Sequence, residues 1–274
     1  MSAAGVTVTT PRACVEPPRR SPLAAARDAW AITGRNLIVY RRVPTLLVFT
    51  LVQPIVFVLL FRYVFGGAIK VPGGIPYVDY LMPGIFVQTV AFGATNTAIG
   101  LATDVKSGLL ERFHSLPMAR SAVLTGRTFA DLTRNVLVVA LMAVVGVMVG
   151  FRVQTNALLF VAGILVVLMF AYAFSWIFAT VGLWIGDPES AQAATFPVLA
   201  PLVFASSVFV PVSSMPSWLQ GFATYQPVSV TANAVRALML GGPTLSWLLQ
   251  SIAWCAGIVL VCAPLAVRLY RRAS

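Results

Sequence analysis

Long apolar stretches, separated by short polar ones, occupy the chain from residue 44 to residue 267. A helix needs about 20 apolar residues, each rising roughly 1.5 Å, to cross the hydrocarbon core of a membrane. Six stretches approach or exceed that length: Pro44 to Val64, Tyr80 to Thr103, Asn135 to Phe151, Ala157 to Gly186, Ser190 to Pro211 and Leu245 to Val267. The pattern therefore predicts an all-α integral membrane protein with six transmembrane helices.

The N-terminal region divides into two parts. Residues 1–22 are rich in Pro, Ala, Thr and Arg and have little to bury, which predicts a disordered cytoplasmic tail. Residues 23–42 instead follow a helical pattern, with Trp30 on the apolar stripe and Arg35 elsewhere on the wheel. With Trp30 and Tyr40 at headgroup depth, this segment is predicted to be a helix lying in the membrane interface. An ordinary solvated helix is the alternative, and Pro44, which leads directly into the bilayer, disfavours it.

A polar stretch interrupts the apolar pattern at residues 104–134 and is predicted to be a cytoplasmic loop. Its first half places Leu109, Phe113 and Leu116 on one helical face, and Pro117 ends that helix. Ser121 is positioned to cap a second helix that leads toward the next span. The apolar face indicates either a docking site for a partner protein or a helix lying on the lipid surface, and periodicity alone does not separate the two.

A moderately apolar segment at residues 211–244 joins the last two spans. It is broken by Pro216, Pro227, Gly241 and Gly242. These breaks predict short re-entrant helices, which dip into the outer leaflet without crossing it.

Composition and charge exclude other classes of protein and predict the orientation of the chain in the membrane. Hydrophobic residues make up 59% of the chain and charged residues 10%, which excludes an ordinary soluble domain. The net charge of +11 does not indicate nucleic-acid binding, because the basic residues lie at the ends of apolar segments. Fifteen of the 19 basic residues fall in the N-terminal region, the 104–134 loop and the C-terminus. The positive-inside rule therefore predicts that both termini are cytoplasmic.

The chain offers few groups for catalysis or ion coupling. The acids lie in predicted loops or at segment ends, which counts against transport driven by protons or sodium. His114 has no metal-binding companions, and no GxxxxGK[ST] loop is present, so no catalytic, metal or nucleotide site is predicted. The neutral polar residues Gln53, Gln88 and Asn96 lie inside spans. They are candidates for a substrate path, although most such residues only join neighbouring helices.

Four segments resemble the permease subunits of type-2 ABC exporters. The resemblance is strongest to the daunorubicin/doxorubicin-resistance permeases of actinobacteria. They are WAITGRNLIVYRR, SGLLERFHSLPMARSAVLTGR, WIGDPESAQ and FVPVSSMPSWLQGFATYQPVSVTANAVRAL. The resemblance implies one transmembrane domain over residues 23–272. In it, the interfacial helix would contact an ATPase, and the 211–244 segment would cap the exit path of the transported substrate.

The resemblance also assigns a role to the 104–134 loop. Its first helix would dock in a groove of a separate ATPase, through Gly108, Leu109, Glu111, Arg112, Phe113 and Leu116. Two permeases, identical or related, and two ATPases would form the working unit in the lipid of the cell membrane. ATP and Mg would be used by the ATPase, and this chain would bind no cofactor.

Three functions follow from the sequence. The leading one is the permease of an ATP-driven exporter of amphipathic drugs or lipids. Export of a glycan or glycolipid is an alternative within transport. A membrane anchor or assembly factor without transport activity belongs to another class, and such a protein would not need the apolar face at Leu109, Phe113 and Leu116.

Overall fold

The computed structural model describes residues 44–69, 71, 74–108 and 120–272, and this part of the chain contains helices and no strand. The helices are α1 (Pro44–Leu59), α2 (Tyr77–Gly93), α3 (Thr95–Lys106), α4 (Arg120–Val149), α5 (Ala157–Ile185), α6 (Pro188–Phe204), α7 (Ser217–Tyr225), α8 (Pro227–Leu240) and α9 (Thr244–Arg272). The predicted tail and the predicted interfacial helix, with Trp30, Arg35 and Tyr40, lie outside the described residues.

All six predicted apolar stretches form helices. Four helical segments are long and apolar enough to cross a membrane: Tyr77–Lys106, Asp131–Val149, Ala157–Ile185 and Thr244–Tyr270. The first stretch is α1, which continues as a π-helical turn over Leu60–Phe65. The fifth is α6, a 17-residue helix that contains Pro197 and Pro201. Sequence periodicity and hydropathy therefore located the apolar helices correctly.

In the predicted loop at residues 104–134, the structure describes residues 104–108 and 120–134, and the second of these stretches is helical, as the predicted second helix required. Helix α3 runs on to Lys106, and α4 begins at Arg120 and continues without a break for 30 residues. Asp131 and Arg134 were placed in water by the prediction, but their side chains are buried, with 5% and 3% of each residue exposed. They are buried because α4 packs against α2 and α3 at the level where those two helices meet.

Helix α5 lies at the centre of the fold and contacts α9, α3, α8, α4 and α2. Helix α2 is buried along nearly its whole length, and so is α8 from Val228 to Met239. Pro227 begins α8, and Gly241 with φ +93° ends it, a conformation that favours glycine. The 211–244 segment thus contains a 3₁₀ turn at Val212–Ser214 and two short helices, the second of which belongs to the core.

Candidate functional site

The predicted ATPase-docking segment begins where α3 ends. Gly108 has a left-handed φ of +65°, and its N–H donates to the Val105 carbonyl over 3.1 Å. This geometry turns the chain out of the helix and explains the need for glycine at this position. The other predicted docking residues lie outside the described part of the chain: Leu109, Glu111, Arg112, Phe113 and Leu116.

An ion pair joins the helix that leads into this segment to the turn before α6. Lys106 Nζ lies 2.7 Å from Asp187 Oδ1. The other carboxylate oxygen of Asp187 caps α6 by accepting from the Ser190 N–H at 3.0 Å and the Ser190 hydroxyl at 2.9 Å. Lys106 and these Ser190 donors lower the pKa of Asp187 to about 2. The Asp187 carboxylate therefore stays ionised at neutral pH and holds the ends of α3 and α6 together.

The three candidates for a substrate path occupy different environments. Gln53 on α1 and Asn96 on α3 are exposed on the surface of the single chain. Gln88 on α2 is buried, and its Oε1 has no hydrogen-bond partner among the described residues. The structure therefore does not gather the three side chains around one cavity within this chain.

A buried polar pair on α4 holds the junction between α2 and α3, which are separated only by Ala94. Thr97 donates its hydroxyl to Asp131 Oδ2 over 2.6 Å, on the α3 side of the junction. Arg134 Nη2 donates to the Gly93 carbonyl over 2.8 Å, on the α2 side. Arg134 Nη1 also lies 3.8 Å from Asp131 Oδ1. We call this pair the α4 clamp; it ties α4 to both sides of the junction.

Arg236 on α8 is the centre of a second buried polar group. Its Nε donates to the Tyr80 carbonyl at 2.8 Å, and its Nη1 donates to Ser207 Oγ and Asn233 Oδ1. Its Nη2 donates to the carbonyls of Ser207 at 2.5 Å and Val208 at 2.9 Å. The guanidinium also stacks 3.7 Å from the centre of the Tyr80 ring. Arg236 thus joins α8 to α2 and to the turn after α6.

Neighbouring residues allow this arrangement. A side chain at Gly84 would place its Cβ 2.5 Å from the Val208 carbonyl and 3.0 Å from Arg236 Nη2, so glycine is needed for the close approach. Tyr77 and Tyr80 donate their hydroxyls to the carbonyls of Phe209 and Ser207. The sequence analysis did not identify this cluster, although a lone arginine in the otherwise uncharged sequence of α8 was a visible signal.

A cavity of about 430 Å³ lies beside the Arg236 cluster. Its polar lining includes Tyr80, Ser207, Thr224, Asn233 and Arg236, and its described lining contains no acidic residue. A second cavity, of about 360 Å³, lies at one end of α4 and α5, and the described residues that line it are all apolar, among them Val144, Phe151 and Phe160. The described residues contain no cluster of three or more His, Cys, Asp or Glu side chains that would hold a metal ion.

Comparison with known proteins finds one family model and several relatives. The model described as "ABC-2 type transporter" matches residues 27–240. The "Daunorubicin resistance ABC transporter permease protein DrrB1" of Streptomyces coeruleorubidus is 35% identical over 239 residues, which is 86% of this chain and 83% of the relative. The "Probable doxorubicin resistance ABC transporter permease protein DrrC" of Mycobacterium tuberculosis is 32% identical over 243 residues, covering 88% of this chain and 87% of that protein.

Proposed function

The chain belongs to the ABC-2 type transporter family, and from that premise we propose that it exports amphipathic drugs or lipids from the cell. It is a membrane protein and the permease subunit of an ABC exporter, and permeases of this family work with an ABC ATPase subunit. The observation that carries the proposed cargo is the similarity to drug-resistance permeases over more than four fifths of the chain. It favours drug export over the glycan and anchor alternatives.

The proposed topology has six spans with both termini in the cytoplasm. Helix α1 with its π-helical turn and α6 would be the two spans beyond the four long helices. Helices α7 and α8, with 9 and 14 residues, are too short to cross, which supports a re-entrant role. The excess of basic residues near both termini and in the 104–134 stretch supports a cytoplasmic location for all three.

Cysteine labelling tests this topology. In a background without Cys14, Cys255 and Cys262, single cysteines at position 73 or position 217 should react with an impermeant maleimide in intact cells. A cysteine at position 107 should react only after the cells are opened. Labelling at position 107 in intact cells would reverse the proposed orientation.

We further propose that two permeases pair through a face that includes the exposed Gln53 of α1 and the exposed Asn96 of α3. Both side chains are exposed on the surface of the single chain, and although Asn96 donates to the Gly93 carbonyl, contact with lipid would leave the Gln53 amide and the Asn96 amide oxygen without polar contacts. A second permease, identical or related, would cover this face, and a substrate path between the two would give these side chains polar contacts. Two ATPases would complete the unit, with docking through residues 108–116 and contact with the helix at residues 23–42.

The energy source gives the direct test of the proposed function. ATP drives export only by favouring one permease conformation over another, so a subunit that binds ATP and Mg must contact the permease. Expressed alone, the permease should neither hydrolyse ATP nor lower the accumulation of an amphipathic dye. Co-expression with its ATPase should restore both activities, and replacing the phosphate-loop lysine of that ATPase should remove them. Uphill pumping by the reconstituted permease alone, under an imposed proton gradient, would contradict the proposal.

A further inference from the structure

The positive charge of Arg236 is buried without a counter-ion among the described residues. The residue is 7% exposed, and the acceptors around its guanidinium are all neutral: three backbone carbonyls, a hydroxyl and an amide oxygen. These hydrogen bonds satisfy the N–H groups but leave the full charge in place. Because interactions with a charge strengthen away from bulk water, the adjoining cavity has a positive potential.

The same arginine fixes the orientation of Asn233. Asn233 Oδ1 lies 2.9 Å from Arg236 Nη1 and 3.0 Å from Ser207 Oγ. An arginine can only donate, so the oxygen of the amide must face it and the NH₂ group must point the other way. Asn233 lines the cavity and is partly exposed, and no acceptor for its NH₂ group is found among the described residues. The cavity therefore contains an unused donor beside a positive charge.

The rest of the cavity wall is apolar. Val71, Ile75, Val212, Leu240 and Trp247 contribute to it. The volume of about 430 Å³ falls within the range of roughly 300–1,000 Å³ that is typical of small-molecule sites. An anionic group next to Asn233 and an attached hydrocarbon segment along the apolar wall would match both halves of the lining.

We propose that this cavity binds the phosphate headgroup of an anionic amphiphile. A phosphate oxygen accepts from the Asn233 NH₂ group, the charge of Arg236 attracts the anion, and the first part of the apolar chain contacts the wall near Trp247. The ligand is either a membrane lipid that stays bound or a transported molecule, and both share this chemistry. Binding at the site requires neither ATP nor the ATPase, so the inference stands or falls separately from the proposed export.

Binding to the purified full-length permease in neutral detergent tests the site. Dioctanoyl phosphatidylglycerol should bind with one molecule per chain and at least about tenfold more tightly than dioctanoyl phosphatidylcholine, as measured by calorimetry and native mass spectrometry. Inorganic phosphate at the same concentration should not displace it, because phosphate lacks the apolar chain. Equal binding of the two lipids to the wild-type protein would overturn the proposal without any variant.

Two substitutions of the same kind locate the site. Asn233→Asp keeps an oxygen for Arg236 and Ser207 but removes the donor and adds a negative charge, so phosphatidylglycerol affinity should fall at least about tenfold. Asn156→Asp adds the same charge outside the cavity, at an exposed cap that accepts from the Leu159 N–H, and should bind as the wild type does. Equal losses in the two variants would mean a general surface-charge effect and would overturn the proposal.

Reconstitution with the ATPase then distinguishes the two sources of the ligand. Labelled phosphatidylglycerol that is moved across proteoliposomes only with ATP, and not by the Asn233→Asp complex, would be cargo at this site. Phosphatidylglycerol that binds with the predicted preference but stays in its leaflet would be a resident lipid. Either result supports the headgroup site, and failure of drug export in the same vesicles would count against the proposed cargo alone.

Discussion

Replacing Arg236 with methionine is expected to remove most of the folded permease from the membrane. Methionine has a similar length but no donor, and it leaves the Val208 carbonyl with no other hydrogen-bond donor among the described residues. The unpaired Val208 carbonyl costs about 1–3 kcal/mol, and the other four hydrogen bonds that the charged guanidinium makes are lost as well, each such bond contributing about 1.5–3 kcal/mol. A loss of several kcal/mol is large beside the roughly 5–15 kcal/mol that stabilises a typical protein.

Arg152→Met provides the matched control. Arg152 is exposed. Its backbone N–H donates to Asp79, and the substitution retains this hydrogen bond. The comparison uses the amount of monodisperse protein after detergent extraction and its melting temperature. We expect Arg152→Met to match the wild type in yield and melting temperature. Arg236→Lys should fall between the wild type and Arg236→Met, because lysine keeps the charge but has fewer donors. Normal yield and melting temperature for Arg236→Met would show that the cluster does not hold α8 in place.

Phe113→Asp is expected to abolish export while leaving the permease inserted and folded. The resemblance places Phe113 at the centre of an apolar contact with the ATPase, and an unpaired charge buried there would cost several kcal/mol. The permease itself should tolerate the change if this face serves only to dock the partner. The measurements are drug or dye efflux and co-purification of the ATPase with the permease, both of which should be lost.

Two controls make this prediction specific. Phe113→Leu keeps an apolar side chain and should retain most efflux, because the contact requires burial and not a particular ring. Ser115→Asp adds the same charge two residues away in the predicted helix, off the face that carries Leu109 and Leu116, and should have a smaller effect. Normal efflux by Phe113→Asp would mean that this face is not the docking site.

The described residues on either side of the proposed docking segment, residues 108–116, belong to the helical bundle. The Gly108 end follows α3, which Lys106 joins to the turn before α6. After the segment, α4 begins at Arg120, and the α4 clamp lies further along the same uninterrupted helix. If the ATPase displaces this segment, we expect α4 to move with it. The α4 clamp would then transmit the movement to the junction between α2 and α3.

The sequence by itself determined the class of protein and the positions of the helices. Long apolar runs permit only helices in a membrane, because each backbone polar group must find a partner within its own segment. Periodicity and breaks at Pro and Gly then set most helix ends, such as the end of α5 before Gly186 and the end of α8 at Gly241. These features depend on neighbours along the chain, so they can be read without knowing the fold.

Only the tertiary structure decided which polar residues are buried and what they hold together. Asp131 and Arg134 look like loop residues because they adjoin other charges in sequence, but packing places them against Thr97 and Gly93. The partners of Arg236 include Tyr80, 156 positions away, and residues 28 and 29 positions away in the turn after α6. Hydrogen bonds between such distant segments leave no periodic signal, since they arise from the way the helices pack and not from local sequence.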